Sequence, residues 1–312
     1  MTVEHTMPNS WNGRVDHEDG ERARRLHHLV DDKANQALIG FACDIGVSRN
    51  HGRPGAALAP TSIRQAMGNL AATESMERFA DLGDISVTGD TLELGQQMLG
   101  EHIGNALAGG MERVVVLGGG HETAYGSYLG LRAVYPEKCI GIVNLDAHFD
   151  LRAPGDAGPS SGTPFYQIRQ HNPVLFDYLC LGVAEESNTT ALFERAARWQ
   201  TGMVTDHALI ADPHIADGLI DRLAARCDLV YLTIDIDVLP HYQAPGVSAP
   251  ATRGVPLETI EHLVNQTLAA CRRHGTPVPV ADIVEVSPPW DQDSATARTA
   301  ATLCRRLLMP AY

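Results

Sequence analysis

Several features are missing from this chain of 312 residues, and each absence closes off a class of function. No apolar run is long enough to cross a bilayer and no secretory signal peptide leads the chain, which predicts a soluble, cytoplasmic protein. Basic charge is scarce, with 24 Lys and Arg against 38 Asp and Glu. The resulting net charge of −14 is offset by no basic stripe, so neither nucleic acid nor an anionic membrane is expected as a partner. An anionic small molecule would then need locally placed arginines. The six cysteines, at 43, 139, 180, 227, 271 and 304, include no Cys-x-x-Cys pair, and several lie inside apolar runs. They predict buried free thiols instead of disulfides or a thiolate-bound zinc. No Pro/Ser-rich linker, charge block or internal repeat divides the chain. That leaves one large unit over 36–312, preceded by a polar arm over 1–35 that contains Trp11 and a helix candidate over 21–30, laid on the body.

What is present is an alternation of apolar runs and amphipathic stretches from about residue 36 onwards. Strands are expected at 37–42, 79–83, 114–117, 139–143, 178–183, 203–204, 229–234 and 280–286. Helices are expected at 91–108, 123–134, 188–200, 215–226, 257–273 and 295–308. Such alternation predicts an α/β fold, a mostly parallel sheet covered by helices on both faces.

The stretch Asn144-Leu145-Asp146-Ala147-His148-Phe149-Asp150-Leu151-Arg152 organises the rest. It closes a fully apolar strand with Asp146, His148 and Asp150 at every second position, so all three can face one point. Carboxylates that close repel unless a cation lies between them, and a divalent metal is the economical explanation. Two further strands end alike, one in Asp235-Ile236-Asp237 and one in Gly118-Gly119-Gly120-His121-Glu122. In open α/β sheets ligands gather at the carboxyl ends of strands, so His121, Asp146, His148, Asp150, Asp235 and Asp237 form a candidate metal site. Mixed carboxylate and imidazole donors suit Mn²⁺ or a similar ion, and six of them, with some carboxylates bridging, suit two ions. His207, His214 and His241 read as surface loop residues, and Asp291 and Asp293 as helix-capping acids.

These motifs, together with Asp282 to Pro288, resemble the ureohydrolase (arginase/agmatinase) family over about residues 36–308, in the family's order. The resemblance implies a three-layer αβα sandwich with a binuclear manganese centre. It places His121, Asp146, Asp150 and Asp235 on one ion and Asp146, His148, Asp235 and Asp237 on the other. It also implies a homo-oligomer, a trimer or hexamer. Within the family the chain is most similar to the branch acting on a formimidoyl amino acid. The pointers are His121-Glu122, Phe149, Leu151-Arg152, the run Ser160 to Phe165, the run Ala244 to Pro250, and Trp11 to Arg14.

The expected chemistry is hydrolysis of a C–N bond in a linear amidine, because two cations about 3.5–4 Å apart lower the pKa of a shared water. The resemblance gives Glu285 the role of orienting the amidinium and Asp150 that of relaying a proton to the departing nitrogen. Guanidine-cleaving members carry His-Gly where this chain has Ser161-Gly162, and a hydroxyl cannot shuttle protons at neutral pH. A formamidinium, stabilised over two nitrogens instead of three, needs less acid assistance, so Ser161 fits a formimidoyl substrate as a hydrogen-bonding residue. Arg152 is the candidate for holding a substrate carboxylate in a bidentate pair; a salt bridge to Asp156 is the competing reading. The expected reaction is N-formimidoyl-L-glutamate plus water to L-glutamate and formamide. Agmatinase-like urea release and a non-catalytic metal-binding subunit are the alternatives. One departure weighs on the substrate: after Val183 this chain has Ala184-Glu185-Glu186 where that branch often has Gln.

Overall fold

The computed structural model describes residues 2–7 and 10–309. In chain order the elements are β1 (Thr2–Thr6), β2 (Gln36–Ala42), α1 (Ile45–Arg49), α2 (Ala59–Gly68), β3 (Ala80–Thr88), α3 (Leu92–Ala108), β4 (Arg113–Leu117), α4 (Thr123–Val134), β5 (Ile140–Leu145) and α5 (Pro164–His171). There follow β6 (Phe176–Val183), α6 (Thr190–Arg198), β7 (Gly202–Thr205), α7 (Asp206–Ala211), α8 (Asp217–Arg226), β8 (Leu229–Asp235), α9 (Leu257–His274), β9 (Val280–Val284) and α10 (Ala295–Leu307). The strands form one sheet in the order β1-β3-β2-β4-β9-β8-β5-β6-β7, parallel throughout except for β1, which pairs antiparallel with β3.

The parallel strands are apolar on both faces because each face is covered by helices, which is why they read as unbroken hydrophobic runs. Alternate residues enter two separate cores. Leu38, Val115, Val143 and Leu232 pack with Ile63, Ile220, Leu263 and Leu303 from α2, α8, α9 and α10. Ile39, Val116, Ile142 and Tyr231 pack with Leu99, Tyr128, Phe165 and Leu192 from α3, α4, α5 and α6. The result is a three-layer αβα sandwich. No helix among the described residues is long and apolar enough to cross a membrane.

The amino-terminal arm departs from expectation. The stretch 21–30 forms no α-helix; it makes two short 3₁₀ turns, Gly20–Ala23 and Leu26–His28. Leu26 and Leu29 are buried in the α2-side core, and β1 extends the sheet edge. Trp11 Nε1 donates to Asp81 Oδ2 at 2.7 Å, and Arg64 holds the same carboxylate at 2.8 and 2.9 Å. The arm is thereby fastened to the body through a buried ion pair.

Candidate metal centre

Four adjacent central strands, β4, β9, β8 and β5, deliver the candidate residues from their carboxyl ends. After β4 the chain makes a tight turn through Gly118 to Gly120, where a Cβ at Gly119 would collide with the Cys43 carbonyl. The turn leaves His121 fully buried ahead of α4. Its Nδ1 lies 3.1 Å from Asp146 Oδ2, 3.0 Å from Asp150 Oδ2 and 3.1 Å from Asp235 Oδ2. One imidazole N–H cannot donate to three carboxylates. Adjacent ligands on an octahedral ion with bonds of about 2.1 Å lie about 3.0 Å apart, so these spacings are those of donors around a cation. His121 Nδ1 has no aligned hydrogen-bond partner although it is buried, as expected of an atom kept for a metal. Its Nε2 lies 3.0 Å from Thr233 Oγ1, and in the tautomer that frees Nδ1 this N–H donates to the hydroxyl and fixes the ring.

A second group abuts the first. His148 Nδ1 is 3.4 Å from Asp146 Oδ1 and 3.2 Å from Asp237 Oδ2. Asp146 therefore presents one oxygen to each group. Asp235 sits in the first group, while its Oδ1 accepts the Asp237 backbone N–H at 2.8 Å and so shapes the turn that carries Asp237. Buried Asp237 Oδ1 has no hydrogen-bond partner among the described residues. Both donor sets fit divalent cations, and the six residues expected to converge do converge.

The electrostatics follow from crowding acids in a dry place. Burial opposes the protonated form of His121, but the three carboxylates outweigh it and hold the ring well above the ordinary imidazole range. Burial, then Asp237 and Asp146, push Asp235 well above the carboxylate range, and burial with Asp146 raises Asp150. Burial also opposes ionisation of Asp146, yet its two histidine neighbours pull it below the ordinary value. Without a cation the cluster must hold protons.

Glu285 follows β9 with φ 65°, a conformation L-residues rarely adopt, and Asp150 has φ 46°. Both are aimed into a cavity of about 350 Å³, lined also by Asn50, Arg53, His148, Arg152, Ser161, Asn188, Asp235 and Asp237. Glu285 Oε1 accepts the His121 backbone N–H at 2.9 Å, whereas buried Oε2 has no partner among the described residues. Burial, with Glu122 and Asp237, raises this carboxyl well above its ordinary range. Ser161 lies on the cavity wall and its Oγ accepts from Asn50 Nδ2 at 3.2 Å. Arg152 is exposed at the cavity wall, and its guanidinium has no hydrogen-bond or ion-pair partner among the described residues; the pairing with Asp156 is not formed. His241 is exposed and lies outside the cavity lining, and Asp291 caps α10 through the Thr296 and Ala297 backbone N–H groups.

Three residues have supporting contacts that the sequence does not announce. Asn188, in the loop before α6, donates to the Ala147 and Ala184 carbonyls at 2.9 and 2.8 Å and accepts the Phe149 N–H at 3.0 Å, clamping the turn that carries His148 and Asp150. Asn144 donates to Asp146 Oδ2 and to the Tyr178 hydroxyl, each at 2.9 Å, and that hydroxyl donates to the Phe149 carbonyl. Buried Glu122 receives the Gly46 N–H at 2.8 Å and is pushed up to about 7 by burial.

This sandwich, with its acid and imidazole cluster at the strand ends, is that of the arginase family, to which the chain belongs: the family model matches residues 34–309. More particularly, the chain is 44% identical over 306 residues to the formimidoylglutamase of Chromobacterium violaceum, covering 94% of this chain and 95% of that one. It is 43% identical to the formimidoylglutamase of Rhodococcus jostii, covering 96% and 95%. Among solved structures, formimidoylglutamase from Bacillus subtilis superposes with a TM-score of 0.82 at 23% identity, covering 97% and 95%. Trypanosoma cruzi formiminoglutamase with Mn²⁺ superposes at 0.79 with 24% identity, covering 92% and 98%.

Proposed function

We propose that the protein hydrolyses N-formimidoyl-L-glutamate to L-glutamate and formamide in the degradation of histidine, in the cytoplasm. The observation that carries this reading is the convergence of His121 and three carboxylates at 3.0–3.1 Å beside a cavity whose wall presents an unpaired arginine. His121, Asp146, Asp150 and Asp235 would hold one Mn²⁺ and Asp146, His148 and Asp237 the other, with Asp235 as a further candidate ligand of the second. When bound, the two ions supply Lewis acidity and a hydrolytic water of lowered pKa.

The remaining work falls to this chain's side chains. Glu285, held by the His121 N–H through one oxygen, offers its free oxygen to the N–H groups of an amidinium, whose positive charge keeps the buried carboxylate ionised. Arg152 pairs with a carboxylate of the glutamyl end. Asp150 stands where it can hand a proton to the leaving nitrogen. Ser161 supplies a neutral hydrogen bond in place of a titrating imidazole, which suits the more electrophilic formamidinium carbon. We read residues 36–312 as the catalytic domain, with 1–35 as an arm packed on it, in a homo-oligomer of three or six subunits.

A panel of N-formimidoyl-L-glutamate, agmatine and guanidino acids, assayed with added Mn²⁺ for formamide and urea, tests the reading. Formamide and glutamate from the first substrate are expected. Urea from agmatine would assign an agmatinase, and no product from any amidine would assign a metal-binding subunit without catalysis.

A further inference from the structure

Cys139 and Cys227 lie at the opposite end of the sheet from the metal centre, where the mechanism uses neither. Cys139 immediately precedes β5 and Cys227 stands two residues before β8, and the two strands pair from their first residues, Ile140 with Leu229. The backbone joins the two segments: Asp228 N–H donates to the Cys139 carbonyl at 3.0 Å, and Cys139 N–H to Asp228 Oδ2 at 2.8 Å. Between these tethers the two sulfurs approach to 3.3 Å. A disulfide bond is about 2.05 Å long, so side-chain rotation needs to close only about 1.3 Å.

The two thiols differ in a way that assigns them roles. Cys139 is half-buried and reaches solvent, whereas Cys227 is 6% exposed. Contact with Cys227 holds the Cys139 thiol below its ordinary range against burial, while that contact and burial push Cys227 up. An accessible thiol beside a buried second thiol is the arrangement in which a sulfenic acid, once formed, is trapped as a disulfide. The charged groups around the pair are already engaged, Lys138 with Asp228 at 2.9 Å and Arg226 with Asp177.

We propose that Cys139 and Cys227 are a modification site, a dithiol that a hydroperoxide converts to an intramolecular disulfide. The Cys139 thiolate attacks the peroxide, forming an S–O bond as the O–O bond breaks and hydroxide leaves. The Cys227 sulfur then attacks the Cys139 sulfur, forming the S–S bond as the S–O bond breaks, and the Cys227 proton joins the departing hydroxide as water. With hydrogen peroxide, two thiols are oxidised and one peroxide becomes two waters. A dithiol reductant reverses the change. The bond would sit about 20 Å from the strand ends that carry the ligands, at about 3.3 Å per residue. Its effect is therefore on stability: the cross-link closes a loop between positions 88 apart and limits the unfolded chain.

The test treats the native metal-loaded protein with hydrogen peroxide, then denatures it, alkylates free thiols and maps cysteine peptides by mass. Expected are the loss of the Cys139 and Cys227 thiols alone, one linked peptide pair restored by dithiothreitol, a higher unfolding temperature and unchanged turnover. Dimedone, which traps sulfenic acid, should label Cys227→Ser at Cys139 and leave Cys139→Ser unlabelled. Recovery of Cys139 and Cys227 as alkylated peptides while other cysteines oxidise would overturn the proposal, as would equal dimedone labelling of the two variants.

Discussion

Replacing Asn188 by Ala removes three hydrogen bonds around the turn between Asp146 and Asp150, and their surroundings set the cost. The Ala147 carbonyl still accepts from the Ala184 N–H at 3.0 Å, and the Ala184 carbonyl from the Ser187 N–H at 3.1 Å. Each loses one bond of two, worth about 0.5–1 kcal/mol. The Phe149 N–H, in a residue that is 0% exposed, loses its partner outright and becomes a buried orphan donor, at about 1–3 kcal/mol. The total is about 3 kcal/mol, which in a chain of this size lowers the unfolding midpoint by about 6 °C. Relaxation of that orphan moves His148 and Asp150, so Mn²⁺ affinity should fall about 10–100-fold, as when a group supporting a ligand is lost. Thermal unfolding of the metal-free protein measures the first effect, and Mn²⁺ titration the second. A variant that melts about 6 °C lower yet binds Mn²⁺ as tightly as the parent would refute the view that Asn188 positions the ligands.

Three further outcomes are expected. Arg152→Met should raise KM for the anionic substrate about 5–20-fold with kcat nearly unchanged, since an exposed charge-assisted pair contributes about 1–2 kcal/mol of uniform binding; a fall in kcat at constant KM would argue against it. Mn²⁺ affinity should rise with pH. Asp150 and Asp235 are held above the carboxylate range in the cation-free protein, by burial foremost, so the protons they retain must leave as the ion enters. Calorimetry in two buffers of different ionisation enthalpy counts those protons, and an affinity that stays unchanged as the pH is raised would contradict the linkage. Asp81→Asn should lose about 3–5 kcal/mol in urea unfolding, because it leaves the buried Arg64 guanidinium without its bidentate partner and cuts the Trp11 tether; a loss under about 1 kcal/mol would mean that the pair is solvated.

The candidate metal centre is legible because its donor residues sit at strand ends, where an apolar run stopping at Asp, His or Glu is a local signal. Each parallel strand needs only its own few residues to be read, and the sheet then brings distant runs together. The clamp at Asn188 left no such trace. It lies in a polar loop after β6, and its relation to Ala147 and Phe149 exists only once β6 pairs with β5. The arm failed for the opposite reason. Its residues 21–30 have helical spacing, but Leu26 and Leu29 are drawn into the core and the backbone between them settles for 3₁₀ turns and a hydrogen bond from the Leu26 N–H to the Leu70 carbonyl. The apolar pattern gives β3 only as 79–83 because Asp84 interrupts it, whereas the strand runs on to Thr88. Asp81 and Asp84 both face Arg64, a partner that lies on α2.

Charge connects the fold to its substrate. The cavity carries Asp150, Asp235, Asp237 and Glu285 on its wall against two arginines, inside a chain of net charge −14. Without cations these acids retain protons, and each one that does ionise repels a substrate carboxylate, by about 4 kcal/mol for like charges about 4 Å apart at an effective dielectric of about 20. Of the two arginines, Arg53 is spent on the Val247 and Ser248 carbonyls and stacks on Trp290 at 4.5 Å from the ring centre. Among the described residues, that leaves Arg152 as the arginine of the cavity wall free to meet an anion. Two divalent ions at the strand ends would offset the charge of the acids around them, so metal loading would ease substrate entry as well as supply the chemistry. With exposed Arg152 and buried Glu285 on its wall, the cavity suits a molecule bearing an anion at one end and an amidinium at the other.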